Sequence, residues 1–182
     1  MTFNNEKKTF LAKLDKSKKG GIDEKVISLI NAINEKDNYY TTSSCSGRVN
    51  LWKGKEKKNE AEWLKVSHNP ISIKFFELDD KAGLIWLRVE PFILHVACRD
   101  LEAANFFLDK AKKFFKKSCL LSISNKIIVE IRGSETMEMP LYLEGELLFS
   151  GKFSWLEQEV NRKLNRIWEG IEKLEAEVRK SK

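Results

Sequence analysis

The stretch GLIWLRVEPFILHVACRD, Gly83–Asp100, decides how this chain folds. Branched and aromatic residues fill Leu84–Val89 and Phe92–Cys98 with the alternation of strands, and Pro91, which has no N–H to give to a ladder, separates the two. Asp100 stands where an N-cap belongs, ahead of LEAANFFLDKAKKFF (Leu101–Phe115). Glu102 lies in the first turn of that helix and lysines crowd its end around Asp109, the Glu102 and lysine placements being those the helix dipole favours. Downstream, SCLLSI (Ser118–Ile123), the turn SNK and IIVEIR (Ile127–Arg132) read as strand, turn, strand. The chain closes on a long helix whose apolar stripe runs Leu156, Val160, Leu164, Ile167, Ile171, Leu174 and Val178.

Upstream, Phe3, Phe10, Leu11 and Leu14 give a partial helical stripe that Gly20-Gly21 breaks. A second helix follows through Ile22, Val26, Leu29, Ile30 and Ile33, with Asp23 and Glu24 in its first turn. RVNLW (Arg48–Trp52) and WLKVSH (Trp63–His68) alternate as a hairpin around the charged loop KGKEKKNEAE. ISIKFFEL (Ile71–Leu78) fits a strand or a short helix equally. Adjacent strand pairs mixed with helices, in place of repeating strand–helix units, predict an α+β fold. The expected architecture is one domain over residues 1–182, with a mainly antiparallel or mixed sheet flanked by helices and a long C-terminal helix, not a Rossmann fold.

The 182 residues carry a net charge of +6, which leans toward a polyanionic partner such as nucleic acid. Three widely spaced cysteines argue against a disulfide framework and fit a reducing cytoplasm. No apolar run is long enough for a membrane span, and the N-terminus has no signal-peptide core. The chain therefore reads as cytoplasmic.

Neither a GxGxxG, a GxxxxGK[ST] nor a GxSxG is present, so dinucleotide, P-loop and hydrolase-elbow sites lose their support. Cys45, His68, His95 and Cys98 are the pool for a metal, but a strand turns His95 and Cys98 to opposite faces, so no metal site is expected. The same period sets His95, Ala97 and Arg99 on one face, opposite Phe92, Leu94, Val96 and Cys98. Arg132 shares a strand face with Ile128 and Glu130 and can pair that glutamate or hold an anion. In TTSSCSGRVNLW (Thr41–Trp52), short hydroxyls and Gly47 suit a turn that presents N–H groups, and Arg48 adds a bidentate cation. A plain serine-rich turn has the same composition.

SSCSGR, WLKVSH, EPFILHVACRDLEAA and IVEIRGSETMEMPL occur in an order and at a spacing that resemble the tRNA wybutosine-synthesising protein 3 family, over roughly Lys36 to Pro140. The resemblance implies S-adenosylmethionine-dependent N-methylation of the tricyclic base next to the anticodon of phenylalanine tRNA. The family's Ser-x-Ser-Gly-Arg motif falls on Ser44, Ser46, Gly47 and Arg48, and its Ser-His pair on Ser67 and His68. Its Glu-Pro-x-x-x-His segment falls on Glu90, Pro91 and His95, the following arginine on Arg99, and its Ile-Arg pair on Ile131 and Arg132. Departures are Arg88-Val89 before the Glu-Pro step, Phe114 and Cys119 at glycine positions, and Gly133 after Arg132.

Methyl transfer from a sulfonium needs positioning and desolvation more than a nucleophile, which suits a chain with two histidines and no triad. The expectations are that the serine-rich turn and Arg48 hold the cofactor carboxylate or an anticodon-loop phosphate, and that Glu90 binds ribose hydroxyls or the amine. His95 or His68 would take the proton of the target nitrogen or orient the base. Trp52, Trp63 and Trp86 would stack a splayed base, and lysines of the N-terminal segment and Lys110–Lys117 would steer the tRNA. The rivals are a non-catalytic RNA-binding module, which would bind tRNA without the cofactor, and an oligomeric scaffold built on Leu156–Val178.

Overall fold

The computed structural model describes residues 2–12, 21–54 and 62–180. Two compact units are interleaved along the chain: Met1–Ser46, Phe92–Ser134 and Trp168–Lys182 form the first, Gly47–Pro91 and Glu135–Ile167 the second. The architecture is α+β, every strand pair is antiparallel, and no Rossmann sheet is present among the described residues. The strands divide between two sheets, and Pro91 marks the division. β4 (Leu84–Glu90) joins the second unit's sheet, β5 (Ile93–Cys98) the first's.

In the first unit, β1 (Tyr39–Cys45), β5, β7 (Ile127–Arg132) and β6 (Cys119–Ser122) lie in the order β1-β5-β7-β6. Leu94, Val96, Val129 and Ile131 are fully buried on its inner face. α3 (Leu101–Lys112) covers that face: Tyr39 packs on Phe107 at 5.0 Å and donates its hydroxyl to the Ala103 carbonyl. The Asp100 carboxylate accepts the Ala103 N–H at 2.8 Å, the expected N-cap. α2 (Glu24–Asn34) adds Val26, Leu29 and Ile33 to the core. α1 (Phe3–Leu11) sits on the opposite face, with Phe3 and Phe10 against Tyr40. Leu14 of the expected first stripe and most of the charged loop at 53–62 lie outside the described residues.

In the second unit the order is β3-β2-β4-β8-β9, from β2 (Arg48–Lys53), β3 (Glu62–Ser67), β8 (Met137–Leu143) and β9 (Glu146–Leu147). Val49, Leu51, Ile85, Leu87 and Val89 form its buried face. α4 (Phe153–Lys180) buries the stripe expected of it, and in this unit Phe76 stacks on Phe153 while Asn161 bonds both the N–H and the carbonyl of Ile71. ISIKFFEL supplies a single 3-10 turn, Ile73–Phe76.

Two readings change. The turn expected at SSCSGR is largely strand, because Ser43, Ser44 and Cys45 pair with His95, Leu94 and Ile93. Only Ser46-Gly47 breaks it. Gly47 has φ 87°, and a Cβ there would meet Ile167 side-chain atoms at 3.1 Å and the Glu90 carbonyl at 3.2 Å. β8 was hidden by Pro140, which sits where the β4–β8 register shifts and its missing N–H costs least.

Candidate active site

The outer face of the first unit's sheet carries a hydrogen-bonded row across three strands. His95 on β5 lies opposite Ser43 on β1 and Glu130 on β7. Its Nδ1 is 2.9 Å from Ser43 Oγ and its Nε2 is 2.9 Å from Glu130 Oε2. A carboxylate at Nε2 favours a proton on that nitrogen, so the neutral ring donates to Glu130 and accepts the Ser43 hydroxyl at Nδ1. Ser43 is exposed, His95 and Glu130 half-buried. The row therefore begins at a solvent-facing hydroxyl and ends at a carboxylate, an arrangement through which a proton can pass inward.

Arg132 shares this face, two residues along β7 from Glu130. The pairing considered between these two does not form: Glu130 takes His95, and Arg132 is the one arginine among the described residues whose guanidinium has no described partner. Its backbone N–H reaches Ser118 Oγ, the segment of the glycine departures, where Ser118 Oγ also donates to the Phe115 carbonyl. Beneath the sheet, burial and the nearby Asp100 carboxylate push the Cys98 thiol up to about 12, so this cysteine is an inert core residue.

The other expected residues are spread more widely. By register Ser44 shares the face of Leu94, away from His95. Ser46 is fully buried and gives its N–H and hydroxyl to Asp23 Oδ2 at 2.8 and 3.0 Å. Arg99 lies just past β5 and is engaged by Asn38, Asn4 and the Asp37 carbonyl, with its guanidinium over Phe3. These contacts tie α1 to the Asp37–Asn38 turn. Gly47, Arg48, His68 and Glu90 belong to the second unit, where Arg48 donates to Glu90 across β2 and β4 and His68 follows β3. Of the steering lysines, Lys110 and Lys113 meet Glu177, Lys112, Lys116 and Lys117 are exposed, and those of residues 13–19 lie outside the described residues.

From the sequence, Ser43 is not singled out, and Glu130 enters only as one of the groups that Arg132 could pair. The signal for both is the two-residue period combined with the register, which puts a serine and a glutamate directly across from one histidine.

The family described as Methyltransferase TYW3 matches residues 5–180. A Thermococcus sibiricus protein named tRNA(Phe) 7-((3-amino-3-carboxypropyl)-4-demethylwyosine(37)-N(4))-methyltransferase is 38% identical over 99% of this chain and 96% of its own length. A Xenopus laevis tRNA wybutosine-synthesizing protein 3 homolog is 34% identical over 89% of this chain and 68% of its own. A solved structure from Pyrococcus horikoshii superposes with a TM-score of 0.88 at 35% identity, covering 97% of this chain and 96% of that one.

Proposed function

Because the chain belongs to the Methyltransferase TYW3 family, we propose that it N-methylates the tricyclic wybutosine-precursor base beside the anticodon of phenylalanine tRNA. S-adenosylmethionine is the methyl donor, residues 1–182 act as one tRNA-modifying domain, and the reaction takes place in the cytoplasm. No described helix is long and apolar enough to cross a membrane. The single observation that carries the chemistry is the Ser43–His95–Glu130 row.

Methylation of a ring nitrogen releases one proton. The exposed Ser43 hydroxyl accepts it from the base as its own proton passes to His95 Nδ1, and Glu130 holds the resulting imidazolium. No covalent intermediate is needed, since the displacement depends on alignment and exclusion of water. The donor set fits the cofactor at one point: the guanidinium of Arg132, on the face of this row and without a partner among the described residues, suits a carboxylate bidentately. When bound, the cofactor supplies an electrophilic methyl group on a sulfonium. Arg48 and Glu90 satisfy one another, so their part in ligand binding requires that ion pair to open.

The deciding experiment is mass spectrometry of phenylalanine tRNA bearing the unmethylated tricyclic base after incubation with the protein and S-adenosylmethionine. A gain of one methyl group on that base is expected. Binding of the tRNA with no methyl gained and no cofactor affinity would replace this reading with the RNA-binding module. Arg132→Ala is expected to weaken cofactor binding about tenfold by calorimetry, the loss of one charged bidentate contact.

A further inference from the structure

The outer face of the second unit's sheet has a different chemistry. Arg48, Asn50 and Trp52 alternate on β2 opposite Glu90, Arg88 and Trp86 of β4. Trp52 stacks on Trp86 with ring centroids 6.1 Å apart and planes 20° from parallel. The Arg88 guanidinium lies 4.4 Å from the Trp52 ring, and that of Arg48 lies 4.5 Å from Trp63 of β3. Arg88 Nε donates to Glu138 at 2.9 Å and Arg48 donates to Glu90. Hydrogen bonds of this kind lie in the guanidinium plane, which leaves the flat faces of both cations for stacking.

Asn50 lies in the register between these two arginine–tryptophan pairs, opposite Arg88 on β4 and Val66 on β3. It is fully buried, and neither its amide N–H₂ nor its carbonyl has a partner among the described residues. The indole N–H of Trp52, two residues on, is likewise buried with no acceptor among the described residues. Orphaned polar groups destabilise a fold, and three of them clustered on one face point to a ligand that satisfies them.

We propose that this face takes unstacked nucleotides of an RNA loop. Bases stack on the indole and guanidinium planes, an arginine released toward a phosphate opens the cleft above Asn50, and the Asn50 amide pairs a base edge. A side-chain amide offers one donor and one acceptor side by side, the pattern of a base edge. Planar cations interleaved with indoles suit flat, anion-linked rings better than a peptide. The proposal rests on the tRNA reading above for the identity of the RNA, and it assigns Trp63, Trp86, Arg88 and Asn50 to substrate binding.

The test uses the full chain, a labelled synthetic anticodon stem-loop of phenylalanine tRNA, and a fully paired RNA of equal length. Trp63→Ala removes a half-exposed stacking plane, and Asn50→Leu removes the orphaned amide while keeping its volume. Each is expected to weaken the stem-loop about tenfold, with affinity for S-adenosylmethionine unchanged. Asn50→Leu should also raise the melting temperature, a result that a purely structural asparagine would reverse. Unchanged stem-loop affinity in both variants overturns the proposal. So does an equal loss for the paired RNA, or a protein ligand that needs these residues while RNA does not. Loop binding that depends on both residues in a protein that adds no methyl group sustains this face and sinks the catalytic reading; methyl transfer with loop affinity untouched does the reverse.

Discussion

The two sheets are alike inside and unlike outside. Each buries a row of aliphatic side chains, Leu94, Val96, Val129 and Ile131 in the first unit and Val49, Leu51, Leu87 and Val89 in the second. On the outer faces, the first unit joins Ser43, His95 and Glu130 by hydrogen bonds, whereas the second stacks Arg48 and Arg88 on Trp63 and Trp52. One face presents a hydrogen-bonded imidazole between a hydroxyl and a carboxylate, and the other offers flat surfaces and permanent charge. Inner faces are constrained by packing and become interchangeable, while outer faces are free to differ in chemistry.

The comparison breaks first at His95. His95→Ala is expected to lower the methyl-transfer rate by about 10² to 10⁴-fold, the range for removing a positioned acid–base group. Stem-loop affinity should stay within about threefold and the circular-dichroism spectrum should be unchanged. Glu130→Gln keeps a partner for His95 without its charge, so the methyl-transfer rate should fall less than in His95→Ala. A His95→Ala enzyme with near-normal turnover would remove the row from the chemistry.

The likeness of the inner faces is sharpened by matched cavities. Leu94→Ala and Leu87→Ala should each cost about 2–5 kcal/mol in urea unfolding, because each deletes a fully buried isobutyl group. A cost below about 1 kcal/mol at either would show that the face is not close-packed.

The smallest effect is alkaline. Cys98 keeps its proton in the folded chain up to about 12, against 9.0 when exposed. Between these values the unfolded chain has released a proton that the folded chain retains, so this contribution is whole below about pH 9 and is lost as pH rises toward 12. Urea midpoints at pH 8 and pH 10.5 should diverge, and Cys98→Ala should narrow the gap. An unchanged gap would assign the alkaline loss elsewhere.

Much of this was legible in the chain. The helices at Glu24–Asn34, Leu101–Lys112 and Phe153–Lys180 follow from apolar periodicity and, at Asp100, from capping. Strands β2 to β7 follow from alternation bounded by turn residues, and Pro140 concealed β8. The family was legible from four ordered motifs. The site was less so. His95 was singled out by its strand face, but its partners were not, and Ser44 and Ser46 were taken for ligand-facing groups where one shares the Leu94 face and the other binds Asp23.

By itself the sequence determined where helices and strands lie, which side of each is apolar, and which family the chain resembles, because side-chain periodicity and short motifs are local properties. Tertiary structure decided that the strands on either side of Pro91 enter different sheets, that Ser43 and Glu130 flank His95, that the Arg132 guanidinium has no partner among the described residues, and that Trp63 meets Arg48. Those outcomes depend on cross-strand register between residues far apart in the chain, 52 positions for Ser43 and His95. Periodicity names the face of a strand, and only the folded pairing names its neighbour.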